Sequence, residues 1–142
     1  MNIWLEPVDF FASHTHYVEH LAPIYKALDP TLRGVFQVPA ILEREPREMG
    51  VEARALKGAG VNLPRQVNPE GRGALVVCAY GDLQTALRRN PKRPIIFLEH
   101  GVGLSFNHSA YAGGGGLKRK VSLFLDPNEN VRGKNLRKYP NT

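Results

Sequence analysis

Apolar residues in this chain fall into short continuous runs, and segments with apolar positions three and four residues apart lie between some of them. Val8 to Ala12 follows Pro7 and stops at Ser13, which predicts a buried first strand and a turn. From Tyr17 to Leu28 the apolar Tyr17, Leu21, Ile24, Tyr25 and Leu28 form one helical stripe, with Pro23 expected to kink or divide the helix. Gly34 to Val38, bounded by Gly34 and Pro39, predicts a second strand. Between Ala40 and Asn68 the charges around Pro46 allow only short helical pieces, with Val51 to Ala55 as a candidate strand.

Regularity returns after the turn cluster Asn68 to Gly73. Ala74 to Ala79 is uninterrupted by polar residues, as strands covered on both faces of a parallel sheet are. Asp82 is placed to cap a following helix. Leu83, Ala86 and Leu87 supply the apolar face of that helix, Arg88 and Arg89 suit its C-terminal dipole, and Asn90-Pro91 stops it. Pro94 to Leu98 and Val121 to Leu125 predict two more strands, and Asn128 to Lys138 a last helix. The repeated strand-helix-strand order predicts an α/β fold, Rossmann-like, with a mainly parallel sheet and helices on both faces. Residues 1–142 are of the size expected for one domain.

Composition narrows this picture only a little. Apolar residues at 42% and charged residues at 23% are globular values, and 14 Gly with 11 Pro mark numerous loops. The formal charge of +6 favours anionic partners, and seven Lys and Arg residues fall between Lys118 and Lys138 in the C-terminal third. Cys78 is the sole cysteine and lies in an apolar strand, so a buried, unreactive thiol is expected. No stretch is apolar for about 18 residues and no signal-peptide pattern opens the chain, so a cytoplasmic location is expected.

Ligands in doubly wound sheets bind beyond the carboxyl ends of the strands. That rule selects Ser13-His14-Thr15-His16, Tyr80-Gly81-Asp82, Glu99-His100-Gly101 and Asp126-Pro127-Asn128-Glu129. His100 stands at a strand end where an imidazole can take a proton from a hydroxyl, while Gly101 and Gly103 let backbone N–H groups approach an anion, so Glu99, Gly101 and Gly103 are expected to line substrate beside it. Lys118, Arg119 and Lys120, following Gly113 to Gly116, are candidate anion contacts, although the order of a Walker A loop is absent. A solvated flexible loop is the competing reading. His16 and His20 share a helix face, but no third ligand has metal-site spacing, so neither a metal nor a cofactor is expected. His14 and His16 are instead expected to line substrate, together with Gly81 and Asp82.

Phe97-Leu98-Glu99-His100-Gly101 followed by Gly103 is similar to the strand-end His-Gly motif of the CDP-glycerol glycerophosphotransferases and related two-Rossmann-domain (GT-B type) glycosyltransferases. Tyr80-Gly81-Asp82-Leu83 and Ser122 to Glu129 resemble that group's neighbouring strand-end loops, so the likeness spans about residues 74 to 139. It implies an N-terminal, acceptor-side domain in which His100 is the catalytic base. The donor-binding second domain of that group has no counterpart before Thr142, so the resemblance implies a C-terminal-half partner chain or self-association, or a remnant without catalysis. Expected ligands are a nucleotide-activated donor and a hydroxyl acceptor. The alternative is a non-enzymatic module whose basic C-terminal third contacts nucleic acid or another polyanion.

Overall fold

The computed structural model describes residues 6–38, 50–58, 73–99, 119–126 and 128–138. Among them five strands form one sheet, β1 (Val8–Phe11), β2 (Arg33–Gln37), β3 (Leu75–Val77), β4 (Ile95–Leu98) and β5 (Leu123–Leu125). Four α-helices accompany it, α1 (Thr15–Ala27), α2 (Val51–Gly58), α3 (Tyr80–Arg89) and α4 (Glu129–Lys138). The strand order is β2-β1-β3-β4-β5 and every pairing is parallel. This is a Rossmann-like α/β fold with helices on both faces, and its order reverses between β1 and β3.

Two apolar layers hold the sheet, one on each face. On the first, Phe10, Phe36, Val76 and Cys78 pack under Val18, Leu21, Ala22 and Tyr25 of α1 and Leu56 of α2. Phe10 is the hub, stacked on Phe36 at 5.4 Å and edge-on to Tyr25 at 5.2 Å. On the second face Phe11, Leu75, Val77, Ile95 and Phe97 pack with Leu83 and Ala86 of α3 and with Val121. Alternating side chains of one strand therefore serve opposite layers, which is why the central strands read as unbroken apolar runs.

Several boundaries differ from expectation for identifiable reasons. α1 runs unbroken past Pro23, whose ring lies on the exposed side. Its buried stripe is centred on Val18, Leu21, Ala22 and Tyr25, with Tyr17, Ile24 and Leu28 only half-buried. Val51 to Ala55 is not a strand but the start of α2, whose Leu56 reaches the core while Val51 stays exposed. Asp82 does not cap α3. Ala79 takes the N-cap position with no side-chain hydrogen bond, and Asp82 lies in the first turn facing another loop. α4 is capped by Asn128, whose Oδ1 accepts from the Val131 amide at 3.0 Å.

A buried ion pair fastens the amino edge of the sheet. Arg93 Nη2 donates to Asp9 Oδ2 at 2.8 Å, and Arg93 Nε donates to the Gly73 carbonyl at 3.0 Å. The ladder between β1 and β2 is irregular between Val8 and Phe10. There Asp9 Oδ1 takes the Val35 amide at 2.8 Å, substituting a side-chain acceptor for a ladder carbonyl. Gly34 makes this possible, because a Cβ at that position would collide with Asp9 Oδ1 and with the Val8 carbonyl. The Asp9 carboxylate thus ties β1 to β2 and to the turn before β4, and the Arg93 guanidinium extends the tie to Gly73 and Ala74 before β3.

Candidate functional site

Strand polarity sends the ends of β1 and β3 to the same edge, on either side of the point where strand order reverses. Beyond β1, the Ala12 amide donates to the Gln37 carbonyl at 2.9 Å, holding the exit of β1 against β2. The chain then turns through Ser13 and His14. His14 is the N-cap of α1, in extended backbone, and makes no side-chain cap bond. Beyond β3, Cys78 and Ala79 lead straight into α3. Two helix N-termini therefore start at this crevice with no side-chain caps. Their amides carry the positive ends of the two helix dipoles.

One contact joins the two loops. The Ser13 amide donates to Asp82 Oδ2 at 3.0 Å across 69 residues of sequence. Asp82 is buried, and burial pushes its carboxyl above the usual carboxylate range, while hydrogen bonds from Ser13 and the nearby His14 pull the other way. The Cys78 thiol behind it is pushed up to about 12, first by burial and then by the Asp82 charge. Cys78 is accordingly a neutral, buried thiol, as its apolar run predicts. His14 and Gly81 stand exposed at the mouth, and a Cβ on Gly81 would meet nothing within 4 Å. The crevice thus offers an exposed imidazole, backbone amides at two helix starts and a buried carboxyl, a set suited to a ligand carrying hydroxyl and anionic groups.

The remaining expected site residues distribute as follows. His16 is exposed on the first turn of α1, with its ring 5.1 Å from Tyr17 and 4.9 Å from His20, so it extends the aromatic rim beside His14. No group of three or more His, Cys, Asp or Glu residues that could hold a metal ion occurs among the described residues. Glu99 is buried at the carboxyl end of β4, its amide donating to the Leu125 carbonyl at 2.9 Å. Arg119 is exposed in the turn that leads into β5, which places it at the amino edge, away from His14 and Asp82. His100, Gly101, Gly103, His108, the glycine tract Gly113 to Gly116 and Lys118 lie outside the described residues.

Ser13, selected with its strand-end loop but given no role of its own, supplies the bridge to Asp82. One residue absent from the sequence-based site also bears on it: Gln37 ends β2 with a fully buried carboxamide whose oxygen and nitrogen have no hydrogen-bond partner. A polar residue closing an apolar strand was the only sequence signal for Gln37. Its lack of a partner is a property of the packed sheet alone. No helix among the described residues is long and apolar enough to cross a membrane.

Comparison with known proteins yields no matching family model, no matching curated protein and no matching solved structure. The fold and the residues at its carboxyl edge are the basis for any functional reading.

Proposed function

We propose that this chain is the acceptor-binding half of a transferase that moves a glycosyl or glycerophosphoryl group from a nucleotide-activated donor to a hydroxyl. The observation that carries the reading is the crevice between β1 and β3, where the Ser13 to Asp82 bond joins two uncapped helix starts under the exposed His14. β4 delivers Glu99, the residue before His100, to the same edge of the sheet. The His-Gly resemblance supplies the role of His100 as general base.

In this reading His100 takes the proton of the acceptor hydroxyl as its oxygen attacks the donor's anomeric carbon or phosphorus. The bond to the nucleotide breaks, and its electron pair leaves with the nucleotide phosphate. Helix-start amides at Gly81 and beyond His14 face the anionic groups, and Asp82 orients a hydroxyl. A second wall from a partner chain or another copy encloses the donor. Orientation and exclusion of water in enclosed sites lower barriers by roughly 7 to 11 kcal/mol, which a one-walled cleft largely forfeits.

Turnover of a panel of nucleotide-activated donors with hydroxyl acceptors tests this reading. The purified chain alone should show little or no transfer, and addition of the neighbouring reading frame's product should restore it in a manner abolished by His100→Ala. Transfer by the combined proteins that persists in His100→Ala would refute the assignment of the base. Robust His100-dependent transfer by the monomer would refute the half-site model.

A further inference from the structure

The opposite edge of the sheet carries a different chemistry. Parallel strands all begin there, and α3 returns to it before β4. Arg88 and Arg89 end α3, Lys92 occupies the turn before β4, and Arg119 with Lys120 form the turn before β5; all five are exposed. These turns adjoin one another. The Ser122 amide donates to the Ile95 carbonyl at 2.8 Å, and Val121 packs in the same layer as Leu83 and Ala86 of α3. Neither the segment from Leu83 to Leu98 nor that from Arg119 to Leu125 contains an Asp or Glu. Arg93 does not join this group, because its guanidinium is buried against Asp9.

We infer that this cationic amino edge docks on the phosphodiester backbone of duplex nucleic acid, independently of base sequence and of the carboxyl-edge site. Helix-dipole stabilisation accounts for Arg88 and Arg89 but not for Lys92, Arg119 and Lys120, which lie in turns outside any helix. Glu6 and Asp29 lie at the same edge before β1 and β2, but the five exposed cations stand in segments free of Asp and Glu, a local departure from the mixed-sign surface that keeps a protein soluble. A bilayer fits less well. Surface insertion needs an apolar face, and at this edge Leu123, 37% exposed, is the only exposed large hydrophobic side chain among the described residues. The exposed large hydrophobics among those residues are Val51, Leu123 and Leu136, none aromatic, so the described residues present no stacking platform for single strands. What the edge offers is exposed cations on adjoining turns, complementary in charge to a phosphodiester backbone.

Fluorescence anisotropy with a labelled, mixed-sequence DNA duplex tests this, with vesicles of phosphatidylglycerol as a second probe. Engagement of about four phosphates predicts a micromolar-range complex at low salt that weakens about a hundredfold between 50 and 200 mM salt. Changing the duplex sequence should leave affinity unaltered. Lys92→Glu should weaken binding severalfold and make the salt slope shallower by about one. Arg88→Glu/Lys92→Glu/Lys120→Glu should abolish binding while melting as the parent protein does. Arg54→Glu, an exposed change on α2 beyond this edge, should stay within about twofold once salt screens the general field. The inference is overturned by absence of duplex binding, by binding that the triple variant retains, or by a preference for the vesicles over the duplex. Each result leaves the transferase reading to its own assay, because none of these substitutions touches the β1 and β3 crevice.

Discussion

Replacing Arg93 with Met should cost a large share of the stability of the domain. The side chain of Arg93 is 6% exposed and that of Asp9 7%, so the substitution leaves a buried carboxylate facing only the Val35 amide. It also removes the Arg93 Nε donor from the Gly73 carbonyl. Breaking a buried pair by deleting one partner costs about 3 to 5 kcal/mol, against a typical total of about 5 to 15 for a domain. The melting temperature should fall by on the order of 10 °C or more. Asp9→Asn should be destabilising as well. The two carboxylate oxygens have separate tasks, Oδ1 for Val35 and Oδ2 for Arg93, and a carboxamide offers only one acceptor for both. The double variant should be less destabilised than the sum of the singles, with a coupling of roughly 0.5 to 3 kcal/mol. Urea unfolding followed by far-UV circular dichroism, with midpoints and slopes for all four proteins, measures each of these. The exposed Arg132 and Glu129 pair provides the comparison, because Glu129→Ala should change stability by only about 0.5 kcal/mol or less. Should Arg93→Met cost no more than that surface control, the account of the amino edge as a buried electrostatic tie is wrong.

Further expectations concern the carboxyl edge. Gln37→Leu removes a buried carboxamide with no partner, so it should be neutral or stabilise by about 1 kcal/mol in urea unfolding, whereas a substantial loss would reveal a partner for that amide. Cys78, with its thiol pushed up to about 12, should resist iodoacetamide in the native state and react readily in denaturant; rapid native labelling would contradict its placement. Its folded value is raised, so the stability it contributes is full below the ordinary thiol range and is lost as pH rises toward that value. Asp82 has the same sign. Its raised carboxyl contributes stability below the ordinary carboxylate range that is lost as pH rises, so the stability of Asp82→Asn relative to the parent should increase from about pH 4 to pH 7; a flat difference would sink that assignment.

The sheet was legible because both of its faces are covered. Ala74 to Ala79 and Pro94 to Leu98 read as buried strands, and the observed β3 and β4 lie inside those limits. The strand-end rule also brought Ser13, His14, Gly81 and Asp82 to attention before their meeting could be seen. Asp82 was misread as a cap because its position near a helix start has two uses, and sequence spacing cannot reveal a partner 69 residues away. The tie between Asp9 and Arg93 was invisible for the same reason, since it spans 84 residues. Val51 to Ala55 opens a helix rather than a strand, and that helix places Leu56 in the α1 layer while Val51, Arg54 and Ala55 stay exposed.

Why a carboxylate stands at position 82 is a sharper question than why a polar residue does. An asparagine oxygen would accept the Ser13 amide equally well and would avoid the burial that raises the Asp82 carboxyl. For the fold alone the neutral side chain is therefore at least as good. A carboxyl adds two things: a negative charge beside the exposed His14, and acceptor lone pairs beyond those that the Ser13 amide and side chain take. Both additions concern the open side of the Ser13 bridge, where the two helix starts point. Stability and ligand binding should consequently part company at this residue. A purely structural role confines the effect of Asp82→Asn to the pH-dependent gain in stability, whereas a role in holding a hydroxyl adds a loss of binding to that gain.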